Sequence, residues 1–101
     1  MALVEISTTP IPDDREELFS IDGTSYYIPR EIPGSLTLQA IERARKDGEV
    51  EATMWVLDQV IGPEGMAALR ECPTLRREDL LAIVKIVRDR VFGPVEAEGK
   101  A

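Results

Sequence analysis

The side chains that most often carry out catalysis are scarce in this sequence. Histidine is absent from the 101 residues, and the one cysteine, Cys72, is followed at once by Pro73. Histidine is the commonest general base and a frequent metal ligand, and a cysteine nucleophile needs a basic partner. We therefore expect no catalytic residue, no metal site and no cofactor, and we interpret Cys72 as a small apolar filler. The sequence predicts a protein that is not an enzyme.

One serine has the setting of a carrier-protein attachment site. Ser35 stands between Gly34 and Leu36 at the start of a predicted helix in an acidic chain. It resembles the phosphopantetheine-bearing serine of acyl carrier proteins, which lies in an Asp-Ser-Leu triplet at a helix start. Glycine replaces the aspartate here, and a helix N-cap explains the serine fully without a carrier function. An acyl-carrier-like function stays open as an alternative.

Five apolar side chains are candidates for contacts with a partner protein. Methionine and aromatic residues often line binding surfaces, because thioether chains adapt their shape and aromatic rings bury a large area. The same residues are also ordinary core on an apolar helix face, so both interpretations stay open. The candidates are Tyr27, Met54, Trp55, Met66 and Phe92.

The charge balance is strongly acidic, with 19 acidic and 12 basic residues and a net charge of −7. Nucleic-acid binding needs clustered Lys and Arg, and acidic residues interleave with the basic ones here. No apolar run approaches the ~18 residues of a membrane span, and the first residues lack the pattern of a signal peptide. A lone cysteine suits a reducing compartment. We expect no nucleic-acid partner, no membrane and a location in the cytoplasm.

A β-hairpin is predicted near the N-terminus, because Asp22-Gly23 favours a two-residue type I′ turn between alternating strands. With this turn at the tip, Phe19 pairs with Tyr26 and Glu17 pairs with Ile28. Leu18 then points away from the helices, on the polar face. The predicted inner face consists of Phe19, Ile21, Tyr26 and Ile28. A two-stranded hairpin is barely stable alone, so we expect this face to lie on helices.

Four helices are predicted after the hairpin, over 35–47, 49–61, 63–71 and 75–92. Ser35 and Thr74 are predicted N-caps, and Gly48 is a predicted helix end. Helical spacing places these positions inward: Leu38, Ile41, Val50, Met54, Leu57, Ile61, Met66, Leu69, Leu80, Ile83, Val84, Val87 and Val91.

The predicted architecture is thus α+β, mostly α, with an N-terminal β-hairpin packed on three or four short helices. Residues 1–15 are expected to form a flexible arm and residues 16–94 a single domain. Residues 95–101, which are polar and follow Gly93-Pro94, are expected to be a disordered tail.

Three stretches together resemble the tail assembly chaperones of long-tailed (siphovirus-type) bacteriophages, especially those that infect actinobacteria. They are YYIPREIP at 26–33, VLDQVIGPEGMAAL at 56–69 and DLLAIVKIVRDRVFG at 79–93. The similarity spans about Glu17 to Pro94. It brings no catalytic marker and no named functional residue to this chain.

The resemblance implies a chaperone that binds the tape measure protein, a long, hydrophobic and largely helical chain, and keeps it soluble during tail assembly. It implies action in the host cytoplasm and absence from the mature virion. Family members are commonly made in a second, longer form by a −1 ribosomal frameshift, and codons for Gly99-Lys100 can form a slippery site. Self-association is also expected, because an open hairpin edge invites strand pairing, and a hairpin that only covers the core stays open as the alternative.

A different class of function also fits an acidic chain of this size. A small adaptor or regulatory protein, antitoxin-like or anti-repressor-like, would use its acidic surface to imitate another partner. Co-expression with a tape measure protein distinguishes this alternative from the chaperone.

Overall fold

The structure, a computed structural model, describes residues 2–93. The predicted tail 95–101 and the Gly99-Lys100 pair lie outside these residues. The elements are β1 (Arg15–Ile21), β2 (Thr24–Pro29), α1 (Gly34–Asp47), α2 (Glu49–Ile61), α3 (Pro63–Arg70) and α4 (Arg77–Phe92). The predicted class is confirmed: a hairpin packs on four helices in a fold that is α+β and mostly α. Residues 2–14 contain no helix or strand, and β1 begins at Arg15.

The hairpin has the predicted turn but a different register. Asp22 and Gly23 have φ values of 50° and 84°, as a type I′ turn requires. Phe19 pairs with Tyr26 as predicted, but the pairing shifts between Glu17 and Phe19. The predicted pairing of Glu17 with Ile28 is wrong, because Leu18 is an extra residue in β1 and forms a bulge.

The bulge turns Leu18 toward the helices, contrary to its predicted outward position. Leu18 packs against the hydrophobic core together with the buried Ile28. A bulge bends its strand and redirects one side chain, which strict alternation cannot anticipate. Phe19 and Tyr26 stack with ring centroids 4.9 Å apart, and both are half-buried. The hairpin therefore meets the helices with Leu18 in addition to the predicted face.

Both predicted N-caps are wrong. Helix α1 begins at Gly34, so Ser35 lies inside its first turn, and α4 begins at Arg77, three residues after Thr74. Neither helix has a side-chain cap. The carbonyl oxygen of Pro33 accepts the Leu36 N–H at 3.0 Å, which serves the first turn of α1 without the serine. Thr74 Oγ1 lies 3.6 Å from Cys72 Sγ within the connector.

The core lies where α2 meets its neighbours, since α2 contacts α1, α3, α4 and β2. Its buried residues are Ile28, Ala40, Val56, Leu57, Val60, Val87 and Val91. Thr37 Oγ1 of α1 also donates a hydrogen bond to the Val91 carbonyl of α4 at 2.9 Å. These contacts fix the four helices around one small apolar centre.

Several positions predicted to face inward are exposed. They are Leu38, Ile41, Val50, Met54 and Leu80. Small residues occupy the buried faces instead: Ala40 in α1 and Ala52 in α2 are almost completely covered. Ala40 belongs to the core, so α1 meets its neighbours there through a small side chain. Periodicity identified the apolar stripe of each helix but not the part of it that a neighbour covers.

Candidate functional site

An apolar groove of about 270 Å³ lies between α2, α3 and α4. We call it the α2–α4 groove. Its principal apolar lining residues are Met54, Leu57, Met66, Leu80, Ile83 and Val84. Its position follows from the chain: α2 ends at Ile61, and after Gly62 the short α3 begins with Pro63, so α3 lies beside the gap between the two longer helices.

The groove has a buried floor and partly exposed walls. Leu57 and Ile83 are buried, whereas Met54 and Leu80 are exposed. Met54 and Met66, predicted from the sequence as contact residues, thus meet in one site. Methionine side chains are flexible and polarisable, so walls of this kind can adjust to differing apolar partners.

Arg70 is the one charged residue that lines the α2–α4 groove within residues 2–93, and no carboxylate does. The guanidinium gives one part of the rim a positive charge, although the whole chain is acidic. Such a site accepts apolar side chains along its length and can pair with a carboxylate at Arg70. The lining contains one hydroxyl, that of Thr53, and no acid–base pair that would activate it.

The other three predicted contact residues lie elsewhere. Tyr27 is exposed on β2. Trp55 is half-buried against the core, and the guanidinium carbon of Arg43 lies 4.9 Å from its ring centroid. Phe92 is exposed at the end of α4, in a separate depression with Ile41. The structure therefore brings together two of the five candidates.

Leu80 and Arg70 are among the groove residues that were not identified as contact residues from the sequence. Leu80 was expected in the core, and Arg70 was not singled out. The adjacent leucines Leu80 and Leu81 carried a weak signal, since neighbours on a helix point in different directions and only a wide buried face, like that of Val56 and Leu57, covers both. Arg70 carried no signal, because its role depends on where α3 lies.

Arg90 makes two side-chain hydrogen bonds on the hairpin side of the molecule, away from the α2–α4 groove. Arg90 Nη2 donates to Glu16 Oε1 at 2.7 Å, and Arg90 Nη1 donates to the Pro29 carbonyl at 3.0 Å. The hydrogen bond and charge of Arg90, with a smaller contribution from Arg30, lower the pKa of Glu16 below its usual value. This cluster fastens both strands to α4.

Within 2–93, no three His, Cys, Asp or Glu side chains are grouped so that they could hold a metal ion. None of the helices in this part of the chain has the length and apolar content needed to cross a bilayer. Cys72 is half-buried in the α3–α4 connector.

Comparison of the chain with known protein families, with curated protein sequences and with solved structures gives no match.

Proposed function

We propose that this protein is a phage tail assembly chaperone that binds the tape measure protein and keeps it soluble, without catalysis. The observation that carries the proposal is the α2–α4 groove, whose apolar walls at Met54 and Leu80 remain exposed in the folded chain. The resemblance of the sequence to tail assembly chaperones is the reason for proposing the tape measure protein as the client. The protein would act in the host cytoplasm and be absent from the finished virion.

The groove suits one face of an amphipathic or hydrophobic helix. In helix-in-groove recognition, side chains at i, i+3 or i+4 and i+7 enter an apolar cleft. Leu57 and Ile83 form a buried floor for such side chains, and Arg70 can receive a carboxylate from the client's flank. The groove is small, so each copy gains limited binding energy, and many copies along a long client would bind reversibly.

A solubilising coat must cover the apolar client and must also keep the coated chains apart. Net charge can do the second. Exposed apolar helices associate unless a partner covers them. Each bound copy would cover part of the client and contribute seven negative charges, since the formal net charge is −7. Mutual repulsion among coated chains then opposes aggregation.

The test is co-expression of this protein with the tape measure protein of the phage that encodes it, followed by separation of soluble and insoluble fractions. The informative variants are Leu80→Glu and Leu81→Glu. Both side chains are exposed, at 37% and 56%, but only Leu80 lines the α2–α4 groove. We expect wild type and Leu81→Glu to keep the client soluble and Leu80→Glu to leave it in the pellet.

Circular dichroism on both variants controls for folding. A client that stays insoluble beside abundant wild-type protein would refute the chaperone function. Equal loss or equal retention of activity in the two folded variants would instead show that the groove is not the client site.

A further inference from the structure

A second apolar surface lies beside the N-terminal end of α2, next to the α2–α4 groove. We call it the α1–α2–α4 face, and its principal residues are Ile41, Glu49, Val50, Thr53, Arg88 and Phe92. It adjoins the α2–α4 groove at Thr53 and Met54, which line both. Two shallow depressions of about 270 and 210 Å³ lie on it and share Glu49, Thr53 and Arg88. The face is thus continuous across α1, α2 and α4.

Large apolar side chains on this face are uncovered. Val50 is 76% exposed, and Ile41 and Phe92 are also exposed. Single exposed apolar residues are ordinary, but a group of them around one site indicates an interaction surface. These exposed side chains line the same depressions as Arg88, so together they form a candidate interaction surface.

The same face carries one charge of each sign without an ion-pair partner. Glu49 is the first residue of α2, and Arg88 lies on the last turns of α4. Within residues 2–93, neither side chain takes part in a salt bridge, whereas Arg43 pairs with Asp47 and Arg90 pairs with Glu16. Arg88 is partly buried, so its side chain is held at the surface of the fold, where it lines the same two depressions as Glu49.

We propose that the α1–α2–α4 face joins two copies of this chain in a two-fold symmetric dimer, with Arg88 of each copy paired with Glu49 of the other. In a two-fold symmetric contact, every pair formed by two different residues occurs twice. A patch with both signs of charge around an apolar centre is complementary to itself. Two salt bridges would then flank Val50 and its neighbours.

The paired opposite charges of Glu49 and Arg88, and not the net charge, favour a second copy as the occupant of this face. Two chains of net charge −7 repel each other, so association needs local attraction that compensates, and the Glu49–Arg88 arrangement supplies it twice. The inference does not depend on the proposed client. It also differs from pairing through the open hairpin edge, which uses neither residue.

The test measures molecular mass by sedimentation equilibrium over a range of concentrations. Glu49→Arg places two positive charges on each copy's face, and Arg88→Glu places two negative charges there. We expect wild type to dimerise as concentration rises and each single variant to remain monomeric. An equimolar mixture of the two variants should form a heterodimer, because both cross-pairs then have opposite signs.

Glu64→Arg and Arg77→Glu are the matched controls, since they make the same charge changes at exposed positions outside the face. Each should dimerise like wild type. Circular dichroism checks folding, and Val50→Glu, which changes a 76%-exposed side chain, gives a second monomeric variant if Arg88→Glu does not fold.

A wild type that is monomeric at every concentration would overturn the proposal. Single variants that dimerise like wild type, or a mixture that stays monomeric, would overturn it as well. Self-association that persists in both single variants would point to the hairpin edge. None of these outcomes alters the co-expression comparison of Leu80→Glu with Leu81→Glu, so the two proposals fail separately.

Discussion

Arg90 joins three parts of the chain through a single side chain. Its guanidinium binds the Glu16 carboxylate of β1 and the Pro29 carbonyl of β2, while its backbone belongs to α4. Guanidinium groups donate several hydrogen bonds in fixed directions, so one arginine can hold both strands at once. The hairpin depends on such attachments, because two strands alone are barely stable.

Glu16→Gln should lower the free energy of unfolding near neutral pH. It should also make that free energy depend less on pH. The pKa of Glu16 is lowered in the folded state, mainly by the hydrogen bond and charge of Arg90, from an ordinary value of 4.5. The Glu16 carboxyl group therefore binds a proton less tightly in the folded protein than in the unfolded chain. The interaction of Glu16 with Arg90 therefore stabilises the fold above pH 4.5, the ordinary pKa. This stabilisation is lost as the pH falls through the lowered pKa of the folded state.

Urea unfolding of wild type and variant, at neutral pH and in acid, measures this effect. The difference in unfolding free energy between the two proteins should shrink as the pH falls. Glu31→Gln is the control, because Glu31 is exposed and forms no ion pair within residues 2–93. A difference for Glu16→Gln that does not change with pH would contradict the ion-pair explanation.

Helix α3 lies close to the hairpin because one of its residues has no side chain. Gly65 is buried, and a Cβ placed on it would lie 2.5 Å from Ile61 Cγ2 and under 4 Å from both Tyr26 and Phe19. Ile61 is β-branched and therefore restricted in χ1, so it cannot turn away easily. The close approach of α2, α3 and the aromatic pair of the hairpin requires glycine here.

Gly65→Ala should lower the free energy of unfolding by about 1–3 kcal/mol, because overpacking outweighs the better helix propensity of alanine. Gly34→Ala, at the start of α1, makes the same change where nothing lies within 4 Å of the added Cβ. It should be neutral or stabilise by up to ~1 kcal/mol. Chemical denaturation of both variants measures the difference. Equal effects would show that the space around Gly65 does not limit the packing.

The molecule as a whole separates its apolar residues into a covered core and an uncovered band. Val87 is at the centre of the core with no exposed surface, whereas Val50 is 76% exposed on the α1–α2–α4 face. Both valines were predicted to point inward from their helical spacing. A small core of this kind leaves apolar surface for the two sites proposed above, the α2–α4 groove and the α1–α2–α4 face.

Val87→Ala should destabilise the fold by about 2 kcal/mol, since it removes two methyl groups from a filled site and leaves a cavity. Val50→Ala should change the stability by under about 0.5 kcal/mol, because its side chain is largely in water already. Thermal or urea unfolding in dilute solution, where association is minimal, compares the two. A larger effect at Val50 would contradict the placement of α2.

Local signals were sufficient for the hairpin turn and for most helix boundaries. Asp22-Gly23 adopts positive φ at both residues, and Gly48 ends α1 as expected. These features are encoded by neighbouring residues, whose conformational preferences act over a few positions in any surroundings. The α+β class followed from them. The choice of function did not, and the chaperone function remains a proposal.

Tertiary packing decided the features that matter for binding. The bulge at Leu18, the exposure of Val50 and Leu80, and the meeting of Met54 with Met66 depend on which residues of other elements lie opposite. Helical spacing marks an apolar stripe, but a neighbouring helix covers only part of that stripe. The groove and the dimer face are made of the uncovered remainder, because burial is settled by the contacts between elements that are distant in sequence.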